Sequence, residues 1–276
     1  MYKRQVLDEA DEMLNMGFKE DLDLILEQTP EEKQTLLFSA TMPQEVSRIA
    51  HKYMRKPHEI AVARQSQSAE NIEHRFYVVH ERERYAALKR IVDDNPEIFG
   101  IVFCRTKIDT QEIADKLIKD GYNADALHGD LSQQQRDVVM DRYRRRSLQL
   151  LVATDVAARG IDVNNVTHVL NYTLPDDPEV YTHRSGRTAR AGKSGISVVL
   201  INSKELGKIK MVERIIKKNF IKSHIPSGFE VCEKQLFHLV NKIHDVEVND
   251  EEIENFLPKV YETCLLYTSP SPRDAT

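Results

Sequence analysis

The 276-residue chain contains no tryptophan, only three cysteines, and ten each of glycine and proline. So little Gly and Pro excludes collagen-like and low-complexity chains, and 41% hydrophobic with 30% charged residues places it in the globular class. No apolar run approaches the ~20 residues that span a bilayer. The opening Met-Tyr-Lys-Arg-Gln-Val-Leu-Asp-Glu has no apolar stretch of the kind a secretory signal carries. Cys104, Cys232 and Cys264 stand far apart with no C-x-x-C pair, which argues against zinc or redox work and for a reducing, cytoplasmic compartment without a membrane partner. A positive excess is also missing: 39 Lys and Arg face 44 Asp and Glu, a net charge of -5, so bulk charge does not announce a nucleic-acid binder.

Local clusters decide otherwise. Arg142, Arg144, Arg145 and Arg146 form one cluster, Arg184, Arg187, Arg190 and Lys193 a second, and the stretch from Lys204 to Lys222 a third. Short apolar runs alternate with segments of helical period, the pattern of a parallel-sheet α/β protein. Strands are expected at 5–7, 34–38, 59–62, 75–79, 100–104, 124–127, 149–153, 168–171 and 197–201. Helix signals lie between them: Pro43 for a first turn, Ser132 with Gln135 as a capping box, Asp177-Pro178 as a start, and Gly121 as a stop.

The polar, aperiodic stretch from Arg64 to Ala69 reads as a linker. The expected division is a partial first domain over 1–62, a linker over 63–70, a complete second domain over 71–202, and a helical extension over 203–263. Residues 264–276 change composition abruptly and carry no period, so a non-native or disordered tail is expected there.

Chemistry concentrates after strands. Asp8 and Glu9 lie just past the carboxyl end of a short apolar strand, the edge where open α/β sheets bind ligands. A hard cation such as Mg2+ takes one or two carboxylates plus phosphate oxygens, which suits Asp8, while Glu9 suits an attacking water. The plain alternative is a helix N-terminus with favourably placed acids. From His183 to Gly192, Arg184, Arg187 and Arg190 recur every third residue, so three guanidinium groups can share one region and match phosphate oxygens, unless they line a solvated helix face. Thr154, Asp155, Arg159, Gly160 and Asp162 follow another strand, and Ser39 and Thr41 a third. Each of these has a plain helix-cap reading as well.

In this order the residues resemble the DEAD-box ATP-dependent RNA helicases of helicase superfamily 2. The resemblance is carried by Asp8-Glu9-Ala10-Asp11, Ser39-Ala40-Thr41, Val102-Phe103-Cys104-Arg105-Thr106-Lys107, His128-Gly129-Asp130 with Gln133 and Arg136, and the segments 153–162 and 183–192. It covers roughly 3–202 and departs only at Ser185, where the family usually has an aliphatic residue, and at Ala189, where it usually has Gly. The family's Gly-Lys-Thr phosphate loop and adenine-reading glutamine motif are not found. The resulting expectation is a chain that starts at the metal-and-water motif and is deficient in turnover by itself.

The resemblance implies two RecA-like domains, ATP and Mg2+ as cofactors, and RNA as partner. It assigns Asp8 to Mg2+, Glu9 to the attacking water, Arg187 and Arg190 to the γ-phosphate, and Asp162 with Gly160 to the nucleotide. Ser39, Thr41 and His183 are expected to couple the site to RNA, and Thr106, Gly129, Arg136 and Thr154 to contact the RNA backbone. A site that uses both acids and arginines has to form on domain closure. An RNA-binding module without ATPase activity and a DNA-directed helicase of the same superfamily remain as alternatives.

Overall fold

The computed structural model describes residues 3–39, 41–60, 71–158, 161, 163, 165–189, 192–244, 258, 259 and 262. The chain divides into two units, Met1–Gln65 and Ser66–Thr276. In the first, strand β1 (Arg4–Leu7) leads into helices α1 (Ala10–Asn15) and α2 (Lys19–Glu27), and β2 (Gln34–Leu37) into α3 (Gln44–Tyr53). The two strands pair in parallel with Leu7 opposite Leu37. Alternation along the strands separates two faces. Leu7 packs with Ala10, Leu14, Leu22, Leu26, Val46 and Ile49, whereas Val6 and Leu36, paired on the other face, are 57% and 41% exposed. Parallel strands are ordinarily covered on both faces; among the described residues this pair is covered on one.

Glu59 and Ile60, expected to open a strand, belong to none, and Ile60 stays exposed with no apolar face to hold it. The rest of that expected strand, the expected linker and the expected tail lie outside the described residues.

The second unit is built on seven parallel strands: β3 (Ile72–Val78), β4 (Gly100–Phe103), β5 (Ala124–Leu127), β6 (Leu150–Ala153), β7 (His168–Asn171), β8 (Gly195–Ile201) and β9 (Ile221–Ser223). They lie in the order β5-β6-β4-β7-β8-β3-β9. Every residue of β4, β6 and β7 is buried, which is why β4 and β6 read as unbroken apolar runs, while β7 also buries His168 and Asn171. Val102 and Cys104 face helices α4 (Arg84–Asp93) and α5 (Lys107–Lys119). Ile101 and Phe103 face α6 (Gln133–Arg144) and the short α7 (Asp155–Ala158). Further along that second face, Phe76, Val199 and Ile201 pack with Tyr181 of α8 (Pro178–Ser185) and with Ile209, Val212 and Ile216 of α9 (Leu206–Ile216). Its polar atoms are paired: the Tyr181 hydroxyl lies 2.6 Å from His74 Nδ1 and 2.9 Å from Ser197 Oγ.

Local signals act as their chemistry requires. Ser132 and Gln135 form a reciprocal capping box, Asp177 caps α8 with Pro178 in its first turn, and Gly121 takes a left-handed φ of 91° after α5. Pro43 sits one residue earlier than expected, as the N-cap of α3. The extension after 202 is helical over α9 and α10 (Gly228–His244), but β9 lies between them and pairs with β3 at the edge of the sheet. Three residues are too few for strand alternation to show in a sequence. No described helix is long and apolar enough to cross a membrane.

Candidate functional site

The acids of the first unit stand where two parallel strands end. Asp8 and Glu9 are exposed, and the Glu9 N–H donates to Asp8 Oδ1 at 3.0 Å. Glu9 has φ 51° and ψ 44°, a left-handed conformation that a side chain rarely adopts, and this sharp turn starts α1 directly behind the strand. The turn is held by Asp11, which is only 4% exposed. Its Oδ2 accepts from the Thr41 N–H at 2.8 Å and from Thr41 Oγ1 at 2.7 Å. The Asp11 N–H donates to Ser39 Oγ at 3.1 Å, and Ser39 Oγ donates to the Thr41 carbonyl at 2.6 Å.

Burial pushes the Asp11 carboxyl up, but the hydrogen bonds from Thr41 and Ser39 outweigh it and hold the group below its ordinary value. Ser39 and Thr41 are therefore bound to the acidic turn, and neither caps α3. Asp11 was not among the expected site residues. Its place three residues after Asp8, on the inward side of a helix, was the available signal.

In the second unit β5, β6 and β4 are neighbours and parallel, so the residues that follow them emerge at one carboxyl edge. Gly129 follows β5, Thr154 follows β6 and Thr106 follows β4. Thr106 caps α5, accepting from the Asp109 N–H at 3.1 Å and donating to Asp109 Oδ2 at 2.7 Å. Thr154 receives the Ala157 N–H at 3.4 Å and so starts α7. Arg136, half-buried in the first turn of α6, donates to the Ala157 carbonyl and joins α6 to α7.

Gly129 is exposed, its φ is not positive, and a Cβ there would meet nothing within 4 Å. The fold does not require a glycine at this position, whereas close approach of a ligand backbone does.

The arginine segment divides. Arg184 does not join a shared cluster of guanidinium groups: it is 3% exposed and faces into the fold from α8. Its Nε and Nη2 donate to the two Asp155 carboxylate oxygens at 2.5 and 2.8 Å. Its Nη1 donates to Asn171 Oδ1 at 3.0 Å and to the Thr173 carbonyl at 2.9 Å, and its guanidinium lies 5.1 Å from the Phe103 ring centre. The three-residue spacing hid this, because on a short helix packed against a sheet one of three such positions turns inward.

Arg187 is half-buried and donates to the Ile161 carbonyl at 3.3 Å, and His183 is half-buried in the last turn of α8. Arg190, Gly160 and Asp162 lie outside the described residues. Ser185, buried, donates to the Thr182 carbonyl at 3.0 Å, so its hydroxyl is satisfied within its own helix. Ala189 has φ 55°, the left-handed backbone for which glycine is the easiest residue. A Cβ on Gly195 would collide with Thr188 and Ala189, so this glycine lets the loop after Arg187 lie against the start of β8.

Gly192-Lys193-Ser194 leads into a strand rather than from a strand into a helix, and Lys193 is turned onto Asn165, so it is no phosphate loop. Among the described residues no group of three or more His, Cys, Asp or Glu could hold a metal ion by itself. A hard cation shared between one exposed carboxylate such as Asp8 and phosphate oxygens needs no such group.

A parallel sheet with hydroxyl, glycine and arginine groups along its carboxyl edge is the arrangement expected of a RecA-like α/β protein. Family models agree along the chain: "DEAD/DEAH box helicase" matches residues 2–49, "Helicase conserved C-terminal domain" residues 83–192, and "Probable ATP-dependent RNA helicase, helical domain" residues 231–263. The chain is 44% identical over 241 residues to the DEAD-box ATP-dependent RNA helicase CshA of Geobacillus kaustophilus, covering 87% of itself and 52% of that protein.

Among solved structures, the E. coli DEAD-box protein SrmB bound to regulator of ribonuclease activity A is similar at 34% identity and a TM-score of 0.53, over 56% of this chain and 92% of that one. S. cerevisiae Dbp5 bound to RNA and ADP BeF3 is similar at 27% identity and a TM-score of 0.75, over 86% and 63%. The chain belongs to the DEAD-box RNA helicase family. It spans about half the length of the curated relatives it matches.

Proposed function

We propose that this chain serves an ATP-dependent RNA helicase of the DEAD-box type, coupling ATP hydrolysis to RNA binding and local duplex unwinding. The observation that carries the reading is the delivery of Thr106, Gly129 and Thr154 to one sheet edge by three adjacent parallel strands. Hydroxyls, a bare glycine backbone and a helix N-terminus suit a sugar-phosphate backbone, which is bound with little regard to sequence. Arg136 adds a cation to the same edge. The CshA relative is named an ATP-dependent RNA helicase, and Dbp5 was solved with RNA and ADP BeF3, which supports ATP and RNA as ligands here.

In this reading Asp8 would hold Mg2+, which would supply charge neutralisation at the ATP phosphates. Glu9 orients the attacking water from the exposed left-handed turn that starts α1. Arg187 and Arg190 neutralise charge on the γ-phosphate, while Asp162 and Gly160 meet the nucleotide. Ser39, Thr41 and His183 couple nucleotide state to RNA, the first two through Asp11. The division at 1–62, 63–70, 71–202 and 203–263 belongs to the same proposal as a division by sequence motif, with α9 and β9 of the extension packed onto the sheet of 71–202; so does a cytoplasmic location, which suits the free thiols of Cys104 and Cys232.

RNA-stimulated phosphate release tests it, measured on this chain preceded by a segment that carries a Gly-Lys-Thr loop. Glu9→Gln is expected to abolish release and spare RNA binding. Arg187→Ala is expected to slow release at least about tenfold. Turnover that survives Glu9→Gln removes the assignment, and equal competition by matched DNA strands removes RNA as the substrate.

A further inference from the structure

Helix α9 and the segment after it carry charge that the site above does not use. Between residues 204 and 222 stand seven cations and two carboxylates, in a chain whose net charge is -5. Both carboxylates are engaged by backbone: Glu205 Oε2 accepts from the Asn202 N–H at 3.0 Å and Glu213 Oε1 from the Phe220 N–H at 2.8 Å. Lys208 pairs with Asp176 at 2.7 Å. Among the described residues no carboxylate forms an ion pair with Lys210, Arg214, Lys217 or Lys222, and all four are exposed.

The helix determines how these cations are arranged. Ile209, Val212 and Ile216 are buried against the sheet, so Lys210, Arg214 and Lys217, spaced by four and three residues, share the outward face. Seven residues of helical rise put about 10 Å between the first and the last. The helix dipole favours a cation in the last turn, but it does not account for Lys210 further back or for Lys222 on the edge strand. Lys217 has φ 54° at the helix end, so a cation occupies a position whose backbone favours glycine.

The same face continues from the sheet edge already described. Asp176, in the loop after β7, accepts from Lys208 at the start of α9 and from Arg105 at 3.1 Å, and Arg105 is the neighbour of Thr106. Asp176 thus ties the start of α9 to the residue beside Thr106, and α9 begins behind the carboxyl end of β8 on the same side of the sheet as that edge.

We propose that the outward face of α9, with Lys210, Arg214 and Lys217, is a second nucleic-acid track that binds the phosphate backbone of single-stranded RNA beyond the nucleotides held at the carboxyl edge. It rests on the RNA-binding reading of that edge. The contacts are between point charges and phosphates, so they add affinity and salt dependence and no sequence preference.

The test is fluorescence anisotropy with the 276-residue chain and two labelled single-stranded RNAs, about 8 and about 25 nucleotides long, across about 50 to 200 mM salt. The triple change Lys210→Gln, Arg214→Gln, Lys217→Gln is expected to weaken the longer RNA about tenfold and to lower its log-log salt slope by about 2, at roughly 0.7 per phosphate, with the shorter RNA unchanged. The charge-conserving set Lys210→Arg, Arg214→Lys, Lys217→Arg is expected to bind both RNAs as the unaltered chain does. Gly129→Val, which the free fold has room for, is expected to weaken both lengths.

A triple variant with the original affinity and slope for the longer RNA overturns the track and leaves the edge reading standing. Equal weakening of both lengths overturns it too. If Gly129→Val affects neither length, or the unaltered chain binds neither, the edge reading falls and the track with it. Binding to phosphatidylserine vesicles that the triple change removes, with RNA binding unaltered, overturns it in favour of a membrane surface.

Discussion

The two units hold charged groups at strand ends by opposite means. In the first, Asp8 and Glu9 are exposed at the strand end, and the only buried carboxylate, among the described residues, is Asp11, whose hydrogen bonds reach Ser39 and Thr41 on the following strand's exit. In the second, a sheet covered on both faces buries a whole guanidinium, Arg184, and satisfies it with Asp155, Asn171 and Thr173. The acidic turn is positioned by one buried carboxylate that ties the ends of two strands together. The edge of the second sheet is positioned from within, because a charge enters the interior only when every neighbour is arranged to receive it.

Cutting the second unit is expected to produce the largest effect. A chain ending at residue 202 loses Ile209, Val212, Ile216 and Phe220 from the core around Phe76, Tyr181 and Val199. At about 1.5 to 3 kcal/mol each, that is about 6 to 12 kcal/mol, the scale of a domain's whole stability. Limited proteolysis should digest a 66–202 chain and leave a 66–244 chain intact. A protease-resistant 66–202 core contradicts the assignment of α9 to this sheet.

Acid separates the units next. Burial pushes His74 and His168 from the ordinary 6.5 down to about 4, with Lys218 and Arg75 adding to it respectively. Between those values the unfolded chain binds protons that the folded chain does not, so stability rises with pH and falls on acidification. The loss from pH 6.5 to 4 is about 3 kcal/mol per histidine. Asp11 shifts the other way: its stabilisation is present above the ordinary carboxylate value of 3.8 and is lost only as pH falls through its lower folded value. Chemical denaturation followed at a series of pH values should show the second unit weakening first, below 6.5, and His74→Phe should flatten part of that slope. Equal loss in both units from pH 6.5 downward removes this distinction.

A similar loss, about 3 kcal/mol, is expected for Asp155→Ala, which leaves the buried Arg184 without its counter-ion. Thermal melts should show it in the second unit alone. A change within 0.5 kcal/mol, the level of an ordinary surface site, means the pair is screened by water. The smallest effect has the opposite sign. Ala189→Gly relieves a left-handed alanine and should stabilise the second unit by about 1 kcal/mol. An unaltered or lower midpoint removes strain as the meaning of its φ of 55°.

Much of this was legible beforehand where the signal is local. Caps such as Ser132 with Gln135 depend on residues three apart, and the central strands are apolar because both faces are covered, so both are visible in sequence. The edge residues Thr106, Gly129 and Thr154 were named by the family resemblance, whose motifs stand directly after strands. Arg184 was misread because its outward or inward direction depends on Asp155, 29 residues away in the chain, and β9 because its three residues gain strand geometry only from β3.

The sequence by itself determined the alternating strand and helix order, the family, and the chemistry available after each strand, since these depend on residue type and near-neighbour spacing. Tertiary structure alone decided that Asp11 binds Ser39 and Thr41, that Arg184 is internal while Lys210, Arg214 and Lys217 face out, and that three separate segments share one edge. Those outcomes depend on which surfaces pack against the sheet, and packing is settled by the whole unit's burial rather than by any one segment's pattern.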